Sequence, residues 1–205
     1  MESDVFKTIA HNAEGFYKEK GSKFYAFAYP IKKEEDVKTI QNELKKMHHS
    51  ACHFCYAYVL YHDKSSYRIN DDGEPSGTAG KPIFGQIQAF NLTNLVVFVV
   101  RYFGGTLLGT SGLIRSYKAA SKDVLENGKI IKKTINDIYD LSYDYNETNQ
   151  VLRTLHEFEV SFINQSYDTK CHITLSVRKS KSSKLIEKLS LIEKKKIKYL
   201  KTEWT

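Results

Sequence analysis

The stretch Leu95-Val-Val-Phe-Val-Val-Arg-Tyr-Phe-Gly-Gly-Thr-Leu-Leu-Gly-Thr-Ser-Gly112 decides how the first half of this chain is organised. Leu95 to Val100 is apolar at every position, which predicts a central strand covered on both faces. The glycine-rich turn behind it leads into a predicted helix from Leu113 to Glu126. Leu113, Tyr117, Ala120 and Val124 form its inward face, and Arg115, Lys118 and Lys122 form a basic stripe on another face. A second turn of the same kind, Asn70-Asp-Asp-Gly-Glu-Pro-Ser-Gly-Thr-Ala-Gly-Lys-Pro82, opens a helix with Ala79, Ile83, Ile87 and Phe90 on one side. A glycine-rich turn at the start of a helix presents unpaired N–H groups and the positive end of the helix dipole, so it suits anions. Side by side, the two turns would form one polar cleft, with the rest of the chain as scaffold and a second small domain.

Ahead of these turns, Asn12 to Pro30 reads as two strands around the polar turn Lys18–Lys23, with Phe24 to Tyr29 alternating. Glu34 to His48 is a predicted helix with Val37, Ile40, Leu44 and Met47 on one face, acids in its first turn and lysines in its last. His53 to Tyr61 and Tyr67 to Ile69 are predicted strands. Asn127-Gly128 is expected to end the last helix of the half, with glycine in a left-handed cap. Ile130 to Thr134 reads as a linker or the start of a new unit. After it the predicted order is strand 135–143, helix 147–158, strand 160–166, strand 169–177, helix 182–192 and strand 197–204. This βαββαβ order is that of a ferredoxin-like domain, with two helices on one face of a four-stranded antiparallel sheet. The fold class is therefore α+β, with domains expected at 1–131 and 132–205.

A chain of 205 residues that is 41% hydrophobic and 13% aromatic can bury one large core or two small ones. Its longest apolar run is far too short for a bilayer, and no signal-peptide pattern opens it, so a cytoplasmic protein is expected. Three cysteines argue against a disulfide scaffold. The net charge is +7. Between Arg178 and Lys201 ten basic residues face only Glu187 and Glu193. Lys179, Lys181, Lys194, Lys195 and Lys196, with Lys118 and Lys122, are the candidate nucleic-acid contacts. The alternative is a solvated helix face and a lysine-guarded edge strand.

Each turn has two readings. In the first, Asp71, Asp72 and Glu74 can hold a hard cation, while Ser76, Thr78 and Lys81 contact a phosphate. Equally, Asp-Gly marks a tight turn, Ser76 or Thr78 caps the helix, and the acids sit near its positive end. In the second, the gap from Gly104 to Gly109 matches a phosphate loop, but Thr110-Ser111 replaces the required lysine, which excludes an ATP-hydrolysing loop. Arg101, Arg115, Gly104, Gly105, Thr110 and Ser111 remain as an anion-friendly set. The competing reading is close strand–helix packing that only glycine allows. Cys52-x-x-Cys55 has no second pair at zinc spacing and opens a strand, so His53 and Cys55 are expected to be structural, pointing to the same side. No metal or cofactor is expected.

The segments His53–Tyr58, Asp71–Ile83 and Val100–Tyr117 together resemble the IMPACT/YigZ family. Ser111 and Lys118 stand where the family commonly has glycine, and Phe54 where it has asparagine. The resemblance implies an N-terminal α/β sandwich like the second domain of a small-subunit ribosomal protein and the fourth domain of elongation factor G. It also implies a C-terminal domain like the fifth domain of that factor. It implies regulation of translation, with RNA, the ribosome or a regulatory protein as partner and no membrane. The expected function is thus non-enzymatic binding of RNA or ribosomal particles through basic surfaces and the cleft. The alternative is a metal-assisted enzyme acting there on a small phosphorylated or carboxylated substrate.

Overall fold

The computed structural model describes residues 4–204. Its architecture is mixed, with two antiparallel-rich sheets and five α-helices. Contacts divide it into two compact units, residues 6–132 and residues 133–204 with the described start of the chain.

In the first unit, β2 (Ala13–Glu19), β3 (Ser22–Pro30), β4 (His53–Leu60), β5 (Ser66–Asn70) and β6 (Leu95–Tyr102) form a sheet in the order β2-β3-β6-β4-β5. Every pairing is antiparallel, and β6 lies in the middle, as its unbroken apolar run requires. Its side chains alternate between two cores. Leu95, Val97 and Val99 join Phe24, Ala26, Ala28, Cys55 and Ala57 beneath α2 (Gly80–Ala89) and α3 (Gly109–Asn127). Val96, Phe98 and Val100 join Phe27, Phe54, Tyr56 and Tyr58 beneath α1 (Glu34–Met47). Small alanines thus line the side where two helices approach, and aromatic rings fill the side covered by one.

Sequence expectations hold for the inward face of α3, where Tyr117, Ala120 and Val124 are fully buried. They hold less well for α1, whose Met47 is exposed at 60%. Gly128 follows α3 at φ −75° and ψ 136°, an extended conformation, so the expected left-handed cap is corrected. The chain passes straight into β7 (Ile130–Tyr143), which absorbs the presumed linker 130–134. The strand β1 (Val5–Ile9) was not expected from its composition.

The second unit contains α4 (Thr148–Glu157), β8 (Ser161–Tyr167), β9 (Cys171–Arg178), α5 (Lys179–Ser190) and β10 (Lys195–Trp204). The second sheet runs β1-β7-β9-β8, with β10 also paired to β7. β10, β7, β9 and β8 pair antiparallel throughout. Leu141, Tyr143, Cys171, Ile173, Leu175 and Val177 face Val151, Leu155, Leu185 and Leu189 of the two helices in one core. No helix among the described residues is long and apolar enough to cross a membrane.

Candidate functional site

The first glycine-rich turn is built around carboxylates that bind main chain. Asp72 and Gly73 both have positive φ, and Glu74 donates its N–H to the Asp71 carbonyl, closing a tight reversal after β5. The Asp71 carboxylate then accepts N–H groups from Gly77 at 2.9 Å, Ala79 at 3.0 Å and Gly80 at 2.8 Å. The last two are orphan donors at the start of α2, so Asp71 occupies the place where an external anion was expected. Ser76 and Thr78 are not the cap. Ala79 is the N-cap residue, and the Thr78 hydroxyl donates to the Pro75 carbonyl. Asp72 turns the other way and accepts the Phe54 N–H at 2.7 Å. Ser76 and Lys81 are exposed, and no partner is recorded for either side chain among the described residues.

Arg101 lies on the α2/α3 side of β6 and is only 5% exposed. Its Nη1 donates to Glu74 Oε1 at 2.6 Å, and its Nη2 lies 3.4 Å from Ser22 Oγ. The Tyr117 hydroxyl donates to the same Glu74 oxygen at 2.8 Å, and Cys55 Sγ lies 3.3 Å from that hydroxyl. Burial first, then the neighbouring Cys55 and Glu74, drives the Tyr117 hydroxyl far above its usual value; burial also pushes the Cys55 thiol up. Ser22, Arg101, Glu74, Tyr117 and Cys55 therefore form one buried polar chain across the core. The expectation of a free anion-receiving Arg101 is corrected: its charge is already paired.

Gly104 serves close packing. A Cβ there would lie 1.9 Å from Gly21 C and 2.1 Å from Ser22 N, while the Gly104 N–H donates to Ser22 Oγ. Gly105 is exposed. Thr110 and Ser111, expected in the turn, belong to the exposed first turn of α3, which begins four residues earlier than predicted. No side chain caps that end. Arg115 is exposed further along the same helix.

The two turns do meet. Glu74 and Pro75 from one, with Arg101, Phe103, Leu107, Leu108, Gly109 and Thr110 from the other, line a cavity of about 450 Å³ with Cys52, His53 and Leu113. Its walls are chiefly apolar, unlike the polar cleft that the turns alone imply. His53 was expected to be structural, and it does share its side of β4 with Cys55. Its Nδ1 donates to the Asp72 carbonyl at 2.8 Å, which leaves Nε2 as the outward nitrogen, 3.9 Å from Glu74 Oε1. Sequence reasoning missed His53, Tyr117 and Ser22 as members of the site. Nothing in their local sequence separates them from core or turn residues. Among the described residues no three His, Cys, Asp or Glu side chains gather to hold a metal ion.

The model for the Impact N-terminal domain matches residues 20–125, which span both turns and the strand between them. The chain belongs to the IMPACT family. It is 32% identical to an IMPACT family member of Haemophilus influenzae over 83% of this chain and 86% of that protein. It is 30% identical to the IMPACT family member YigZ of Escherichia coli, over 76% and 78%. Its match to the human Protein IMPACT, at 36% identity, covers 43% of this chain and 28% of that protein. A crystal structure described as a hypothetical protein superposes on this fold with a TM-score of 0.69 at 25% identity, covering 97% of this chain and 98% of that one.

The basic candidates separate into bound and unbound groups. Lys122 pairs with Glu126 at 3.4 Å, Lys181 with Glu159, and Lys188 with Glu157. Lys195 donates to the carbonyls of Ser190 and Ile192. Lys118, Lys179, Lys194, Lys196 and Lys198 are exposed, with no recorded partner among the described residues. Strand register arranges part of this second group. Ile197 packs on the helix-covered core, so Lys196 and Lys198 project from the opposite sheet face. Across that face Lys196 neighbours Ser142, then His172, then Ser166; Lys198 neighbours Asp140, then Thr174, then Asn164. Two cross-strand rows of polar side chains thus begin at a lysine edge.

Proposed function

We propose that this chain is a non-enzymatic, cytosolic, translation-linked regulatory protein that binds RNA, free or within ribosomal particles, on the lysine-edged face of its second sheet opposite its two helices. The observation that carries this reading is the pair of cross-strand rows behind Lys196 and Lys198. Lys196, and Lys198 beside Asp140, neutralise phosphates at the edge, while His172, Ser142, Thr174, Ser166 and Asn164 offer stacking and hydrogen bonds to an unpaired strand. Arg115 and Lys118 on α3 supply a further basic surface. The strand order β10-β7-β9-β8 supports a ferredoxin-like second domain of the kind found in elongation factor G, and the first unit's sheet and helices suit the ribosomal-protein type. We place the domain division after residue 131, supported by the separation of compact units near that point.

Fluorescence anisotropy with a labelled single-stranded RNA over a salt series tests the proposal. Replacing Lys196 and Lys198 with alanine should weaken binding and lower the slope of log K against log salt by about 1.4, roughly 0.7 per lost phosphate contact. No association at low ionic strength, or an unchanged slope in the double variant, overturns it.

A further inference from the structure

The cavity between the glycine-rich turns has no part in the RNA reading, yet it has the features of a ligand site. Its volume of about 450 Å³ lies within the range of small-molecule pockets, and its walls are apolar with few polar groups. Those polar groups are unusually placed. The Glu74 side chain is only 4% exposed. One carboxylate oxygen, Oε1, takes both the Arg101 and Tyr117 donors. No partner is recorded for the other oxygen among the described residues, and it is absent from the sealed, unsatisfied atoms of the interior. A buried carboxylate whose donors all meet one oxygen is costly unless something donates to the other.

The neighbouring group has the same polarity. His53 Nδ1 carries its proton because a carbonyl oxygen, that of Asp72, can only accept. In the neutral ring Nε2 therefore offers a lone pair, 3.9 Å from Glu74 Oε1. Two acceptors, Glu74 and His53 Nε2, thus line an apolar cavity together with the Arg101 guanidinium that balances the Glu74 charge. Arg101 also lines the cavity: its Nη1 donates to Glu74 Oε1, its Nη2 lies near Ser22 Oγ, and its Nε is sealed in the interior without a partner. Phe103, 49% exposed on the cavity wall, has the Arg101 guanidinium 5.7 Å from its ring centroid and adds apolar surface to the wall.

We propose that this cavity is a binding site for the protonated primary amine of a small molecule with an apolar body. The ammonium donates to the open oxygen of Glu74 and to His53 Nε2. The apolar body lies against Phe103, Leu107, Leu108 and Leu113. The proposal is independent of the RNA surface, none of whose residues lines this cavity.

Three probes of nearly equal shape decide it: phenethylamine, 2-phenylethanol and 3-phenylpropanoate, titrated at pH 8 while amide and imidazole signals are followed by NMR. The expected result is saturable movement of the His53 ring and of the Gly109 and Thr110 amides with the amine, and at least tenfold weaker effects with the alcohol and the carboxylate. Glu74→Gln should abolish the preference for amine over alcohol. Because that change also disturbs Arg101, a second variant, Leu107→Lys, places a cation at the exposed rim and should weaken amine binding several-fold without moving the melting temperature. Preferential binding of the carboxylate, equal binding of all three probes, or no saturable movement with millimolar amine overturns the proposal.

Discussion

Replacing Arg101 with methionine removes a guanidinium held 2.6 Å from a carboxylate in a region where both side chains are almost fully buried. Methionine fills much of the space, so the main loss is not a void. Glu74 keeps the Tyr117 hydroxyl but loses the guanidinium paired with it. Stranding a buried charge in this way costs about 3–5 kcal/mol. For a chain of this length that corresponds to a melting shift of roughly 6–20 °C. Glu74→Leu alone strands Arg101 and should cost a comparable amount. Removing both charges should be much milder than the sum of the single changes, with a coupling energy of about 2 kcal/mol or more. The assay is urea unfolding followed by two probes. Far-UV circular dichroism reports both units, and the single tryptophan, Trp204 on β10, reports the second. The loss should appear in the dichroism transition and leave the Trp204 transition largely in place. A loss below about 1 kcal/mol for Arg101→Met, or additive single variants, would refute the view that this pair is a buried, mutually dependent unit.

Other outcomes follow from the same contacts. Gly104→Ala drives a methyl group into the Gly21–Ser22 main chain and should cost about 3 kcal/mol or prevent folding. Gly85→Ala meets nothing within 4 Å inside α2 and should stabilise by about 0.5–1 kcal/mol, and calorimetry of the two variants checks both. Of the three thiols, only Cys52 is exposed, so a thiol reagent should modify one cysteine quickly in the folded protein and Cys55 and Cys171 only after unfolding. Cys55 and Tyr117 keep their protons in the fold, and the Tyr143 hydroxyl is pushed up to about 12, whereas unfolded thiols ionise near 8.5 and phenols near 10. Stability from these groups is intact below about pH 8.5. It should then fall as pH rises, by about 1.4 kcal/mol per pH unit for each group that ionises only in the unfolded chain. Chemical denaturation at a series of alkaline pH values measures that slope, which Cys55→Ala should reduce between about pH 8.5 and 9.5.

The elements that residue patterns reveal are those whose fate is decided locally. The run Leu95–Val100, apolar throughout and rich in valine, reads as a covered strand. The spacing of Tyr117, Ala120 and Val124 can only be one buried helix face. The order of elements after Thr134 follows from the same periodicities. What the sequence concealed depends on partners far along the chain. Asp71 takes over the start of α2 from Ser76 and Thr78 because the turn folds its carboxylate back onto Gly77, Ala79 and Gly80. Arg101 reads as a free anion receptor until Glu74, 27 residues earlier, is found against it. Gly128 looks like a helix stop, yet the chain continues extended into β7. His53 gains its role only because Asp72 fixes one ring nitrogen and so presents the other to the cavity.

Cys52 has a practical consequence of its own. It stands on the rim of the cavity, and the two other sulfur atoms are shielded by the interior. A disulfide-forming fragment captured at Cys52 would be tethered beside Glu74 and His53, so weak occupants could be selected by mass spectrometry from mixtures. The same handle would carry a spectroscopic label to a single position without any engineered cysteine.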